Sequence, residues 1–554
     1  MPPYSSQETK NREETIFTQS LDPLGNTALT FLAAIVPVVL LLVLLAVFRM
    51  TAWLAVLIGA AVTFVLGAAV WGMPVPAGGR AFLYGALNGA WSVDWITLWG
   101  VVLFNTLVVT GTFERFRLWL ISVGTIDVRI QTMLFAWAFG ALLEGLVGFG
   151  YPWAVIAPIL IALGIPDLDA IRVAAIANNA PVSYGALGVP IVALAAVTGL
   201  PLLELSAAIG KIVAVLALLP PWILIYLVSG RRGLRDGWPL AIVGSIGYIA
   251  GQFPVATYLG PYLPDVSGSI AAFGALLILL KFWRPAQPLG YGGKPVEGGW
   301  AAASPGNAMS AREVLGAWMP FLVLIAVVVA WTGPWSDLPR IVWWQAGVTA
   351  QDAIEHRAVA VAFRFTPWSG GTAILVSWMI VAVLLRLKAS QLGEVFRRTF
   401  GQMWGALLVG IFIFGLANVF NFSGMAGSLA NSFARIGPAF IVVAPILGWI
   451  GVALSGSNTS TNAMFGHFQM LVGNILGFPP LLLPSLNSVG AEIGKPVAPQ
   501  TASVGVATSR FVRNEGQVIR HNMAWTFFLL AYLIVIGLGF YWLAPGLLML
   551  KGSG

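Results

Sequence analysis

Apolar residues in this chain come in long unbroken runs. The clear ones lie near 29–48, 52–71, 95–113, 206–228, 239–259, 269–283, 314–333, 371–388, 399–418 and 522–544. These approach the roughly 20 residues a helix needs to cross about 30 Å of hydrocarbon. Two further regions, 170–200 and 480–509, are apolar at both ends and polar in the middle. Two others, 130–163 and 437–477, are pairs of shorter apolar runs joined by a Gly- or Ser-rich tip. Their shortest halves reach only about 20 Å at 1.5 Å per residue. The pattern predicts an all-α polytopic membrane protein of about 12 transmembrane helices plus two re-entrant helical hairpins.

Charge placement orients it. With the N-terminus outside and each hairpin entering and leaving on one side, residues 114–129, 164–172, 229–238, 281–312, 386–398 and 510–520 fall in the cytoplasm. With Arg49 they hold 19 of the 29 Lys and Arg, as the positive-inside bias requires. The first hairpin then opens to the cytoplasm and the second to the outside, each followed by a broken helix. Hairpin then broken helix, twice and in opposite orientation, predicts inverted-topology repeats. The expected organisation is a polar tail 1–28, a first membrane half 29–283, a Pro/Gly-rich cytoplasmic linker 284–312, a second membrane half 313–546 and a tail 547–554. The run Leu29 to Phe48 is too long for a signal-peptide core and is expected to be a retained first span. Loop 334–370 carries mixed charge and several Trp, with no readable role.

Composition removes the alternatives. Only 9% of the residues are charged and 58% are hydrophobic, against about 25% charged in soluble domains. Abundant Trp and Gly, 23 and 63 residues, suit interfacial anchoring and close helix packing. The net charge of +8 reads as topology-setting loop arginine, not as nucleic-acid affinity. With no Cys and three scattered His, neither a thiolate site nor a metal-ligand cluster is visible. No cofactor and no enzymatic activity are expected.

Non-helical backbone at membrane depth is tolerated only where protein buries it or it lines a watery cavity, and that singles out four segments. The first tip, Glu144 to Gly150, places an ionisable group at the end of an apolar half-helix, where it is costly unless protonated or paired. Glu144 is therefore a proton-coupling candidate. The first break, Asn178 to Gly185, is explained by Pro181, which lacks an N–H and disfavours helix in the residue before it. Asn178, Asn179, Ser183 and Tyr184 supply neutral donors and acceptors there. The second tip runs Ser455, Gly456, Ser457, Asn458, Thr459, Ser460, Thr461, Asn462, a candidate ligand cradle. The second break runs from Asn487 to Gln500 and Thr501. Within it Lys495 is a counter-charge for a monoanion, or the partner of Glu492 three residues earlier. His467 and Glu492 are further candidates for moving protons.

These segments also carry a resemblance. FGALLEGLVGFGYP, AIANNAPVSYGALGVPI with VTG at 197–199, GSNTSTNAMFG and NSVGAEIGKPVAPQTASV together resemble the L-lactate permease family over about residues 95 to 544. The resemblance implies lactate transport, often with glycolate or D-lactate, driven by proton symport across the bacterial plasma membrane. It also implies kinship with the wider ion-transporter superfamily, whose members commonly work as homodimers by an elevator motion. Glu144, Asn178, Pro181, Ser457, Thr459, Asn462, Asn487, Lys495 and Gln500 fall on the family's motif positions. Departures are Asn458 where members often carry Asp, the bulky Tyr151 and Trp153 after the first tip, and Glu492 at a typically apolar position. The partners expected are a small monocarboxylate, protons and the bilayer; sodium coupling is the alternative drive.

Overall fold

The computed structural model describes residues 17–123, 125–148, 150–297, 299–302, 309–354, 358–507 and 514–551. Phe149, the tail before residue 17 and parts of 284–312 and 510–520 lie outside that set. The protein is predominantly helical. Nine helices among the described residues are long and apolar enough to cross a membrane, ten if the bent pair Asp167–Ala177 and Val182–Thr198 is one span.

The difference from the expected count has local causes. Gly370–Leu384 has only 15 residues. The runs read as 206–228 and 239–259 fall in one apolar helical stretch, Leu202–Tyr258, made of Leu202–Leu216 and Pro220–Tyr258, the second broken again at Gly230, whose φ is +65°. The run read as starting at residue 95 begins at Val75 and is helical to Val109, with a wider π-helical turn at Gly89–Asp94. The first arm of the second hairpin, Gly437–Ser455, has 19 residues. At 1.5 Å per residue that is about 28 Å, so this arm is long enough to span, contrary to the reading of short halves.

An all-α description also misses a small sheet. Trp344–Gln351 pairs antiparallel with Ala358–Phe365, and Phe17–Thr18 adds in parallel to the first of these. The described residues of loop 334–370 thus contain two paired strands. Within it Trp344 and Phe365 oppose each other across the ladder, and the Trp91 ring from the membrane body lies tilted against the Phe365 ring, centroids 4.7 Å apart.

Both hairpins and both breaks exist as local structure. Helix Gly140–Leu146 turns back as Tyr151–Ala162, and Phe440–Ser455 turns back as Asn458–Leu476. The first break is wider than its Pro181 suggested. Ala186, Leu187 and Gly188 are all left-handed, with φ of +47°, +60° and +77°, the first two at about 1–2 kcal/mol each for a residue bearing a Cβ. The second break is narrower. Regular helix Leu482–Gly494 contains Asn487 and Glu492, and only Lys495–Val497 and Ala498 depart from it. Ala498 is extended at ψ 127° because Pro499 follows it, and Asn522 Nδ2 donates to the freed carbonyl of Pro496 at 2.9 Å.

Helices far apart in sequence interlock. Ala389–Ser423 packs on Ala52–Ala69, Val75–Asn88 and Trp95–Val109. The first broken helix packs on the second hairpin, Gly185–Thr198 against Asn458–Leu476. Where these elements meet, the polar interruptions come together.

Candidate substrate cavity

Glycine sets the geometry of the first tip. Gly148 and Gly150 take φ of +66° and +78°, which glycine reaches without steric cost, and so fold the chain back just beyond Glu144. Glu144 Oε1 lies 2.6 Å from Lys495 Nζ in the second break. Its Oε2 accepts from Asn178 Nδ2 in the first break at 3.0 Å. The three side chains are buried. A Cβ at residue 185 would sit 2.5 Å from Glu144 Oε1, so glycine there gives the carboxylate its room.

Lys495 therefore does not pair with Glu492. Glu492 Oε2 accepts from the Ser183 backbone N–H at 3.1 Å and from the Ser183 hydroxyl. Its Oε1 has no partner among the described residues.

The ion pair faces a cavity of about 550 Å³, within the range of small-molecule sites. One wall comes from Leu41, Trp53, Asp94, Gln402, Met403 and Ile413 on the long helices. The other is Glu144, Ser455, Ser457, Asn458, Thr459, Lys495, Gln500 and Thr501 from the tips and the second break. Lys495 is the one cationic side chain among the described lining residues.

The second tip's polar run is partly spent on its own fold. Gly456 ends the first arm at φ +72°, and Ser457 Oγ caps the second by accepting from Ser460 N at 3.1 Å. Ser455 Oγ accepts from Ser457 N at 3.2 Å. Thr459 lines the cavity at the first turn of this 19-residue helix, whose N-terminus carries a partial positive charge. Gln500 is exposed at the cavity edge, against Gly456.

Other sequence candidates are not on the cavity. Asn462 donates to Pro190 O and Ser488 Oγ, both at 3.0 Å, and its Oδ1 accepts from Asn487 Nδ2 at 2.9 Å. Gln469 donates to Asn487 Oδ1 at 2.9 Å, closing a buried amide network that ties the hairpin to both broken helices. Tyr184 donates to Ser206 O at 2.6 Å. Asn179 is fully buried, and neither its amide N nor its O has a partner among the described residues. His467 lies further along the second arm and does not line the cavity, with Nδ1 unpartnered among the described residues. Tyr151 and Trp153 do not line the cavity either; Tyr151 packs edge-on against Phe104 at 4.8 Å, so their bulk does not set the cavity's size.

Of the charged cavity residues, Asp94 escaped the sequence reading. It sits one residue before the apolar run as that run was drawn. A carboxylate at that border was the available signal.

The sequence profile of L-lactate permeases matches residues 30–545. The chain belongs to the L-lactate permease family. It is 33% identical to the glycolate permease GlcA of Escherichia coli K12 over 92% of this chain and 95% of that one. It is 31% identical to the L-lactate permease of Bacillus subtilis 168 over 94% and 97%. Among solved structures, the YdaH transporter of Alcanivorax borkumensis overlaps with a TM-score of 0.44 at 15% identity, covering 84% of this chain and 88% of that one. This permease is accordingly a transporter and not an enzyme, and a multi-pass bacterial membrane protein.

Proposed function

We propose that this permease imports L-lactate or a related short 2-hydroxymonocarboxylate, D-lactate or glycolate, by proton symport. The observation that carries the reading is the cavity's cation, Lys495, already neutralised by Glu144. A substrate carboxylate takes Glu144's place on Lys495, beside the N-terminus of Asn458–Leu476. The displaced Glu144 is then a buried carboxylate without a partner, and breaking such a pair costs about 3–5 kcal/mol. Taking up a proton removes that cost, so anion and proton enter together. In this reading Asn458, Thr459 and Ser455 bind the substrate hydroxyl. The names of the two bacterial relatives support the substrate class.

The test is uptake into proteoliposomes. L-lactate accumulates under an imposed inward proton gradient without sodium, and Glu144→Gln removes accumulation while leaving exchange. Accumulation driven only by a sodium gradient would overturn the proton assignment and favour the sodium-coupled alternative. A panel of unlabelled monocarboxylates in counterflow ranks the substrates.

The topology belongs to the same reading: twelve spans and two re-entrant hairpins in two inverted halves, 29–283 and 313–546, with the N-terminus outside. Because the chain has no Cys, single cysteines report sidedness directly. Ser336→Cys reacts with an impermeant maleimide in intact cells, and Asp236→Cys only after permeabilisation. The reverse pattern inverts the orientation.

A further inference from the structure

Asp94 shares the cavity with Glu144 and Lys495 but not their pairing. It closes the π-helical turn Gly89–Asp94 and does not cap the helix Trp95–Val109 that follows. Asp94 lines the cavity and is 8% exposed. Oδ2 has no hydrogen-bond partner among the described residues. Across from it on Ala389–Ser423 stands Gly410, where a Cβ would come within 2.6 Å of the Asp94 Cγ. The carboxylate therefore lies against bare backbone.

No charge on the surrounding elements offsets it. Val75–Asn88 carries Arg80 and Tyr84, and Ala389–Ser423 carries Glu394, Arg397 and Arg398; Trp95–Val109 and Gly185–Thr198 carry no ionisable side chain. Among the described residues none of these is paired with the free Asp94 oxygen. The remaining charges on the cavity, Glu144 and Lys495, are spent on each other.

We propose that Asp94 is a second proton-binding residue of this cavity, and that a monocarboxylate anion binds only while Asp94 is neutral. This rests on the anion-carrier reading above and deepens it. An ionised Asp94 and an incoming anion would occupy one small, weakly screened space with a single cation between them, and the like charges repel. Protonating Asp94 removes the repulsion and leaves a hydroxyl that donates to the substrate. Asp94 thus sets the pH at which the site accepts its anion, whereas Glu144 responds to the exchange at Lys495.

The test holds pH equal on both sides of the proteoliposome, so it does not depend on whether a gradient drives accumulation. L-lactate counterflow is measured between pH 5.5 and 8. Binding restricted to one protonation state makes the wild-type KM climb by up to about tenfold per pH unit once that state becomes the minor one. Asp94→Asn removes the part of this climb that belongs to Asp94, leaving the part due to Glu144, and lowers KM at pH 8 by about tenfold, whereas Asp94→Glu keeps the full climb. Gly410→Ala changes no ionisable group but pushes the carboxylate into the cavity, and it displaces the KM-against-pH curve; this arm stands if Asp94→Asn does not fold. Asp94→Asn with the wild-type slope, or with KM raised equally at every pH, overturns the proposal, as does an undisplaced curve for Gly410→Ala. Failure of gradient-driven accumulation with the Asp94-dependent slope intact would instead count against the symport reading alone.

Discussion

Lys495 Nζ and Glu144 Oε1 lie 2.6 Å apart although 351 residues separate them in sequence. The pair joins the first hairpin to the second broken helix, so the two halves share one charge-neutral centre. Removing either partner strands the other in a buried site, at about 3–5 kcal/mol, whereas replacing both is much milder. Lys495→Met and Glu144→Gln are therefore each expected to lower the melting temperature of the purified protein more than the double variant does. Thermal unfolding in detergent of the wild type, both singles and the double checks this. Additive losses would mean the pair is not coupled.

Gly185→Ala is expected to lower transport sharply. A Cβ at 185 lies 2.5 Å from Glu144 Oε1, and the carboxylate is the movable party. Uptake should fall at least about tenfold, equivalent to 1.4 kcal/mol, with an unchanged gel-filtration profile. Normal uptake would show that the position of Glu144 is not critical.

Ser183 supplies both hydrogen bonds that Glu492 receives. Ser183→Ala leaves only the backbone donor, and an under-bonded buried acceptor costs about 1–3 kcal/mol. The expected result is a lower unfolding temperature that Glu492→Leu partly restores, since an apolar side chain needs no donor. Thermal unfolding of the single and double variants separates the outcomes.

Gly490 lets helix Leu482–Gly494 rest on the arm Phe440–Ser455, because a Cβ there would come within 2.7 Å of the Pro445 Cα. Neither backbone can yield as a side chain would. Gly490→Ala is expected to destabilise by the 1–3 kcal/mol typical of overpacking. Expression level and unfolding temperature of the variant report it, and a wild-type value would mean the two helices slide freely.

Much of this protein followed from its sequence alone. Apolar runs of about 20 residues, sparse charge and loop arginines fix the solvent as lipid, because no other solvent accepts such a surface. The four interruptions were equally visible: Pro181, Pro496 and Pro499 disfavour helix in the residues before them, and Gly148, Gly150 and Gly456 mark reversals. Local chemistry dictates such features, and local chemistry is written in order along the chain.

Partnership is not written that way. Lys495 stands three residues from Glu492, yet its ammonium reaches Glu144 from the other half, and Glu492 turns to Ser183. Asn462 and Asn487 look like ligands in one dimension and bond to each other in three. Asp94 looks like the end of a run and lines the cavity. Even the loop 334–370 drew its meaning from elsewhere, since its strand Trp344–Gln351 is completed by Phe17–Thr18. A buried polar group takes the nearest satisfying partner in space, and only the tertiary packing of the two halves decides which partner that is.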